Sequence, residues 1–547
     1  MLPLLLALST TSFTFAAAGP PVVALQYGVF RGTSDGNLST FLGVPFASPA
    51  TRFELPKVPI KLHGVQNASG FGPACPQQAM STVPLVQIAT ATYSAVSDDC
   101  LTLNVFKPSF ATSQSKLPVL VWIYGGGFQV GNSLDTEVRP AVERSIATDE
   151  PIIIVTPNYR VSAFGFLGGK EASAAGISNL GLRDQIFALE WVQAHIAAFG
   201  GDPEKVVIGG ISAGAISIAL LLLSNNRFQQ SALFRGAFME SGSPINLGSM
   251  ADGQPYYDGL VAANNCTASP DTLDCLRRVP LDAFTATVNH TANLFSYSSL
   301  SLPSLPRVDG DVIVQNPLLS VSQGLYAKVP ILTGDCDDEG TLFSLSTTNI
   351  TTNDEFVGYM SSNYLPRATA AQIAELSALY PDDPTQGSPF DTGTANQLTP
   401  EYKRLAAFQG DLIFTGARRF FLERAAKTQD AWSWLYKRGK TSFLGASHGG
   451  DIGIWFPAAN VTDAPGLDAL LNFINTRDPN RAAGAGQHAS SVFWPKWNTP
   501  SANGSTSLLT FSNPNLVNIT AEDFRVEAIE FLFEVLLEET GNSSASG

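Results

Sequence analysis

Residues Lys205–Gly214 read KVVIGGISAG. Val206, Val207 and Ile208 are apolar and β-branched, the pattern of a short strand buried on both faces. Gly210, Ile211, Ser212, Ala213 and Gly214 then turn the chain, and the apolar run to Leu223 predicts a buried helix from about Ala213. Strand, Gly-x-Ser-x-Gly and helix, in that order, set a serine hydroxyl at the carboxyl end of a strand. Such a turn holds the serine in an uncommon backbone conformation, and its neighbours two positions away must be small. Gly210 and Gly214 meet that need. The motif alone also fits an ordinary glycine turn; the strand before it and the helix after it favour Ser212 as a nucleophile.

The flanking chain repeats the alternation. Leu117–Tyr124 (LPVLVWIY) is a continuous apolar run and reads as a central strand. It ends in Gly125-Gly126-Gly127-Phe128, where backbone N–H groups face outward without side-chain obstruction. Gly-x-Gly-x-x-Gly is not satisfied, and Gly131–Asp135 separates the glycines from any helix, which argues against a dinucleotide loop. Paired with the serine turn, the glycines fit an oxyanion hole. Ile152–Thr156, Leu233–Glu240, Val329–Gly334 and Ala431–Tyr436 read as further strands. Leu180–Phe199 reads as an amphipathic helix stopped by Gly200-Gly201-Asp202-Pro203. Strand, helix, strand predicts an α/β protein with a mostly parallel sheet and right-handed crossovers.

Short strands are expected before residue 60, and Leu101–Lys107 alternates as a strand. Residues 351–430 read as mostly helical, with a break at Pro381–Pro384. Thr520, with Asp523 in the capping-box position, is expected to cap a final helix with Phe524, Ile529, Leu532, Val535 and Leu536 on its apolar face. Residues 19–540 are read as one domain, and the polar stretch 541–547 as a disordered tail.

Only 14% of the 547 residues are charged, and the net charge is −15, which argues against nucleic acid and anionic membrane surfaces as partners. The N-terminus runs LPLLLAL and then reaches Ala16-Ala17-Ala18-Gly19, so residues 1–18 read as a secretory signal, although no Lys or Arg precedes the apolar core. Asn-x-Ser/Thr sequons at Asn37, Asn67, Asn265, Asn289, Asn349, Asn460, Asn503, Asn518 and Asn542 agree with secretion. The five cysteines pair by proximity as Cys75–Cys100 and Cys266–Cys275, leaving Cys336 as a buried thiol. No close Cys/His cluster suggests a metal, and no cofactor is expected.

A serine needs a base. Of the five histidines, His63 sits in a turn, His195 on the amphipathic helix, His290 inside a sequon and His488 in a Gly/Ala/Ser segment. His448 alone follows a strand on a glycine-flanked loop. The acid is expected in a strand-end loop between serine and histidine, and Asp335, Asp337, Asp338 and Glu339 all qualify. Spacing does not choose among them.

The motifs FLGVPF (41–46), DDCLTLNV (98–105), YGGGF (124–128), NLGLRDQ (179–185), FGGDP (199–203), GISAG (210–214) and DEGT (338–341), with the late His448, resemble the type-B carboxylesterase/lipase family. The resemblance covers nearly the whole mature chain. It implies an α/β-hydrolase fold, with a large mixed central sheet flanked by helices. It implies Ser212 as nucleophile, Glu339 as acid, His448 as base, and the N–H groups of Gly126, Gly127 and Ala213 as oxyanion donors. Both cysteine pairs match family disulfides. Two positions depart from the pattern. Ile211 stands where most members have Glu, and Asp98 replaces a Glu that pairs with an arginine, here Arg52.

By this resemblance the chain is a secreted serine hydrolase of carboxylic esters. The loop 76–99 carries no charge before Asp98, and Met80, Val83, Leu85, Val86, Ile88 and Tyr93 are apolar. It matches the family's active-site flap, which points to medium- or long-chain fatty acyl esters and a lipid–water interface. Sterol or other bulky-alcohol esters are the alternative, and a non-catalytic adhesion protein is a more distant one.

Overall fold

The computed structural model describes residues 19–543 apart from 49–50, 82–94, 225–232, 460, 462, 481–491, 502–503 and 514. The signal reading, His488, Asn460, Asn503 and most of the flap loop lie outside the described residues.

The strands are β1 (Val22–Leu25), β2 (Gly28–Arg31), β3 (Thr33–Asp35), β4 (Leu38–Pro45), β5 (Val65–Asn67), β6 (Thr102–Pro108), β7 (Leu117–Ile123) and β8 (Ile153–Pro157). They continue with β9 (Gly201–Ile211), β10 (Gly236–Glu240), β11 (Ile331–Cys336), β12 (Ala431–Tyr436), β13 (Ser507–Ser512) and β14 (Leu516–Ala521). Among the described residues β1, β2 and β5 form a small sheet. The others form an eleven-stranded sheet in the order β14-β13-β12-β11-β10-β9-β7-β8-β6-β4-β3. From β8 to β13 every neighbouring pair is parallel, and antiparallel strands close both edges. This is the α/β-hydrolase fold expected.

The continuous apolar runs have a direct cause. In β7, Val119, Val121 and Ile123 enter the core on one face of the sheet, while Leu120 and Trp122 enter the core on the other. In β9, Val206 and Ile208 divide from Val207 in the same way. With both faces covered by helices, neither face of a central strand accepts a polar side chain cheaply.

Several boundaries differ from the sequence reading. The helix that starts at Leu180 ends at His195, a 3₁₀ turn covers Ile196–Phe199, and Gly200 at φ 99° ends it. Strand β9 then starts at Gly201, because Gly201 already pairs with Leu117 of β7. Residues 233–235 precede β10, and β11 begins only after Pro330, which has no N–H for the ladder. Between the helices Ala370–Leu379 and Tyr402–Gly410 lies a long non-helical stretch, far wider than a proline break. Thr520 caps no helix. It lies in β14, where its hydroxyl meets that of Thr510 across the strand pair at 2.6 Å. This hairpin, rich in Leu and Thr, went unread. The final helix spans Val526–Ser543, so Phe524 precedes it and the expected tail begins too early.

Candidate active site

Strands β9 to β12 all end on one edge, and each delivers part of the site. Ser212 follows β9 with φ 57° and ψ −126°, and the helix Ala213–Leu223 starts immediately behind it. The small neighbours are obligatory. A Cβ at Gly214 would stand 2.2 Å from the Ile123 carbonyl oxygen, and one at Gly210 would stand 2.7 Å from the same atom. The Ser212 N–H donates to the Glu240 carbonyl at 2.8 Å, which fixes the turn against β10.

His448 sits on the loop after β12. Its Nε2 lies 2.8 Å from Ser212 Oγ. Its Nδ1 lies 2.5 Å from Glu339 Oε2. The phenyl rings of Phe343 and Phe414 lie 5.1 and 4.7 Å from the imidazole centre and hold its plane. Glu339 is buried, and its other oxygen accepts from Ser241 Oγ and the Cys336 N–H, both at 2.6 Å.

The other acids of that loop are occupied elsewhere. Asp335 pairs with Arg418 at 2.6 Å. Asp337 pairs with Lys440 and Lys437. Asp338 accepts from Lys440, Ser388 Oγ and the N–H groups of Phe390 and Ala446. Of the four candidates left open by spacing, Glu339 is the one that meets the imidazole. The other described histidines stay away from the serine: His63 and His290 are exposed, and His195 packs against Tyr27 and Trp191.

The glycine loop lies against Ser212. A Cβ on Gly125 would come within 2.8 Å of Ser212 Cβ, and Gly126 and Gly127 take φ values of 109° and 62°. A cavity of about 1490 Å³ opens in front of Ser212 and His448. Its lining includes Gly126, Gly127 and Ile211, the apolar residue beside Ser212. Its rim includes Met80 at the base of the flap loop, and Asp282 and Asn289. Deeper, a narrow cavity of about 40 Å³ beside Ser212 and Ala213 is walled by Ile216, Leu302, Leu305 and Ile413. Leu302, Leu305 and Ile413 also wall a further cavity of about 260 Å³.

Both disulfides, Cys75–Cys100 and Cys266–Cys275, are formed, and Cys336 is a buried thiol. Burial pushes that thiol well above its usual range, and Asp451 and Glu339 add to the effect. Asp98 meets Arg52 at 3.1 Å. Ser241, Glu240 and Asp451, which lie around Glu339 and the loop of His448, are not singled out by the sequence. Only a strand-end position, shared with many other residues, marks them.

The fold and this constellation define an α/β-hydrolase with a serine, a histidine and a glutamate in line. The model of the carboxylesterase family matches residues 19–519, and the chain belongs to that family. It is 38% identical to the secreted triacylglycerol lipase LIP1 of Gibberella zeae over 94% of this chain and 90% of the relative. It is 37% identical to lipase 5 of Diutina rugosa over 96% of this chain and 98% of the relative. The crystal structure of Aspergillus niger EstA superposes with a TM-score of 0.80 at 26% identity, covering 95% of this chain and 98% of that one.

Proposed function

We propose that the chain hydrolyses carboxylic esters through an acyl-enzyme on Ser212. The observation that carries this is the unbroken line from Ser212 Oγ through His448 to Glu339. The carboxylate at Nδ1 selects the tautomer with the proton on Nδ1, leaving Nε2 to take the serine proton. Ser212 attacks the ester carbonyl, and the N–H groups of Gly126, Gly127 and Ala213 receive the oxyanion. His448 then protonates the leaving alcohol. Water enters by the same route, and the acid is released. With all three side chains in register, the non-catalytic reading has no support.

The narrow apolar cavity beside Ser212, which shares Leu302, Leu305 and Ile413 with the larger one, suits the start of a fatty acyl chain of medium or long length, and the broad outer cavity suits the alcohol. The names of the relatives support a lipid ester. Residues 1–18 act as the secretory signal. Among the described residues no helix is long and apolar enough to cross a membrane. Asn37, Asn67, Asn265, Asn289 and Asn349 are exposed and are the sequons to carry glycans, whereas Asn518 is half-buried in β14.

Ser212→Ala tests the proposal. Hydrolysis of a p-nitrophenyl fatty acyl ester is expected to fall by at least roughly 10³-fold while the thermal transition is kept. Turnover like that of the wild type would refute it.

A further inference from the structure

Glu240 closes β10 and is wholly buried. Neither of its side-chain oxygens receives an N–H or O–H donor from the described residues. The side-chain group within hydrogen-bonding reach is another carboxyl, that of Asp451. Asp451 is equally buried but well supplied: Trp434 Nε1 donates at 2.9 Å, Cys336 Sγ at 3.3 Å and Trp455 Nε1 at 3.5 Å.

Two carboxylates that share a dry site do not both ionise, so one of them holds a proton. Donor supply decides which. Asp451 has three donors to satisfy a negative charge, and Glu240 has none. A neutral Glu240 instead becomes a donor, and Asp451 is the acceptor within its reach.

The place of the pair gives it a task. Ser241, the next residue after Glu240, holds Glu339 through its hydroxyl. Asp451 lies three residues beyond His448, on the same loop. We infer that Glu240 is held neutral and donates its proton to Asp451, and that this bond makes Glu240 a positioning residue. It ties the β10 end, which supports Glu339, to the loop that carries His448. The task assigned here rests on the Ser212–His448–Glu339 reading; the shared proton does not.

The surroundings agree. Burial raises Glu240 well above the ordinary carboxylate range, and the neighbouring acids Asp451 and Glu339 raise it further. From β11 the titratable neighbour in the cluster is Cys336, itself kept neutral by burial.

Infrared spectroscopy of the full-length protein at neutral pH tests the proton directly. The wild type is expected to show carbonyl stretches of protonated carboxylic acids, and Glu240→Gln to lose one acid's share of that intensity, the part from Asp335 remaining. The Gln amide still donates to Asp451, so kcat is expected to stay within about threefold. Glu240→Leu removes the donor, and kcat is expected to fall about tenfold with KM changed less than about twofold, since no substrate contact is touched. A spectrum in which Glu240→Gln removes none of the acid intensity overturns the inference. So does a Glu240→Leu enzyme with wild-type kcat. If Glu240→Leu fails to fold, the band and the Glu240→Gln kinetics decide. A band that behaves as expected beside an active Ser212→Ala would instead count against the triad.

Discussion

The Ser241 hydroxyl donates to Glu339 Oε1 at 2.6 Å while Oε2 of the same carboxylate faces His448. Ser241 is buried and adopts φ 52°, a conformation that a serine seldom takes without need. Its N–H donates to the Gly334 carbonyl, so the hydroxyl is anchored to β11, the strand that leads to Glu339. The carboxylate is therefore clamped from behind by Ser241 and the Cys336 N–H, and only its front is left for the imidazole.

Removing one clamp should cost catalysis rather than binding. Ser241→Ala leaves Oε1 with the Cys336 N–H alone. A hydrogen bond to a charged group contributes about 1.5–3 kcal/mol, and part of that loss would appear in the transition state. A fall in kcat of about tenfold is expected, with KM nearly unchanged. Equal losses in kcat and thermal stability across a pH series would show that the hydroxyl serves only the fold.

A second prediction concerns acid stability. Glu522 is buried and receives Arg418 at 2.7 Å and Trp497 Nε1 at 2.6 Å. Burial alone would raise it, but Arg418 and Arg419 outweigh burial and bring it from 4.5 down to about 2. A depressed carboxyl stabilises the fold above its unfolded value and loses that contribution as pH falls through the folded value. The window is therefore pH 4.5 to 2, and the contribution is on the order of 3 kcal/mol. Asp335, on the other side of Arg418, is pushed up to about 7 by burial, so its contribution has the opposite sign and is lost as pH rises from 3.8 toward 7. Glu522→Gln should lower stability at pH 6 and flatten its fall below pH 4.5. Denaturant midpoints measured at intervals across that range check it; parallel curves for the two proteins would contradict it.

The parts of the site that obey local rules were legible. Gly210 and Gly214 announce a turn that no larger residue permits, and the runs around Leu120 and Val207 announce strands covered on both faces. Glu339 was not separable from Asp335, Asp337 and Asp338 without the family resemblance, because the choice depends on Lys440, Arg418 and the Phe390 N–H arriving from distant segments. Glu240 and Asp451 meet only after β10 and the histidine loop are brought together, and no spacing encodes that. The Thr520 misreading has a similar origin. Thr followed three residues later by Asp fits a cap, but pairing with β13 claimed those residues for a strand.

The last prediction addresses the acyl chain. Leu302 is buried and stands between the narrow cavity beside Ser212 and the larger one beyond it. It also lies against the glycine loop, 3.6 Å from where a Cβ on Gly127 would be. On the proposed acyl path, a chain extending from an ester at Ser212 would meet Leu302 after its first few carbons, with Leu305 and Ile413 on the same walls. Each buried methylene contributes about 0.8 kcal/mol. Leu302→Trp fills the passage, and denying three methylenes their place would cost about 2.4 kcal/mol, roughly 60-fold in kcat/KM. Palmitoyl esters should suffer this loss, while acetyl esters, which stop short of Leu302, should change by less than about threefold. Kinetics on an acyl series from acetyl to palmitoyl, with thermal denaturation of the variant as a control, would decide. Acetyl and palmitoyl activities that fall together in a folded Leu302→Trp enzyme would place the acyl chain elsewhere.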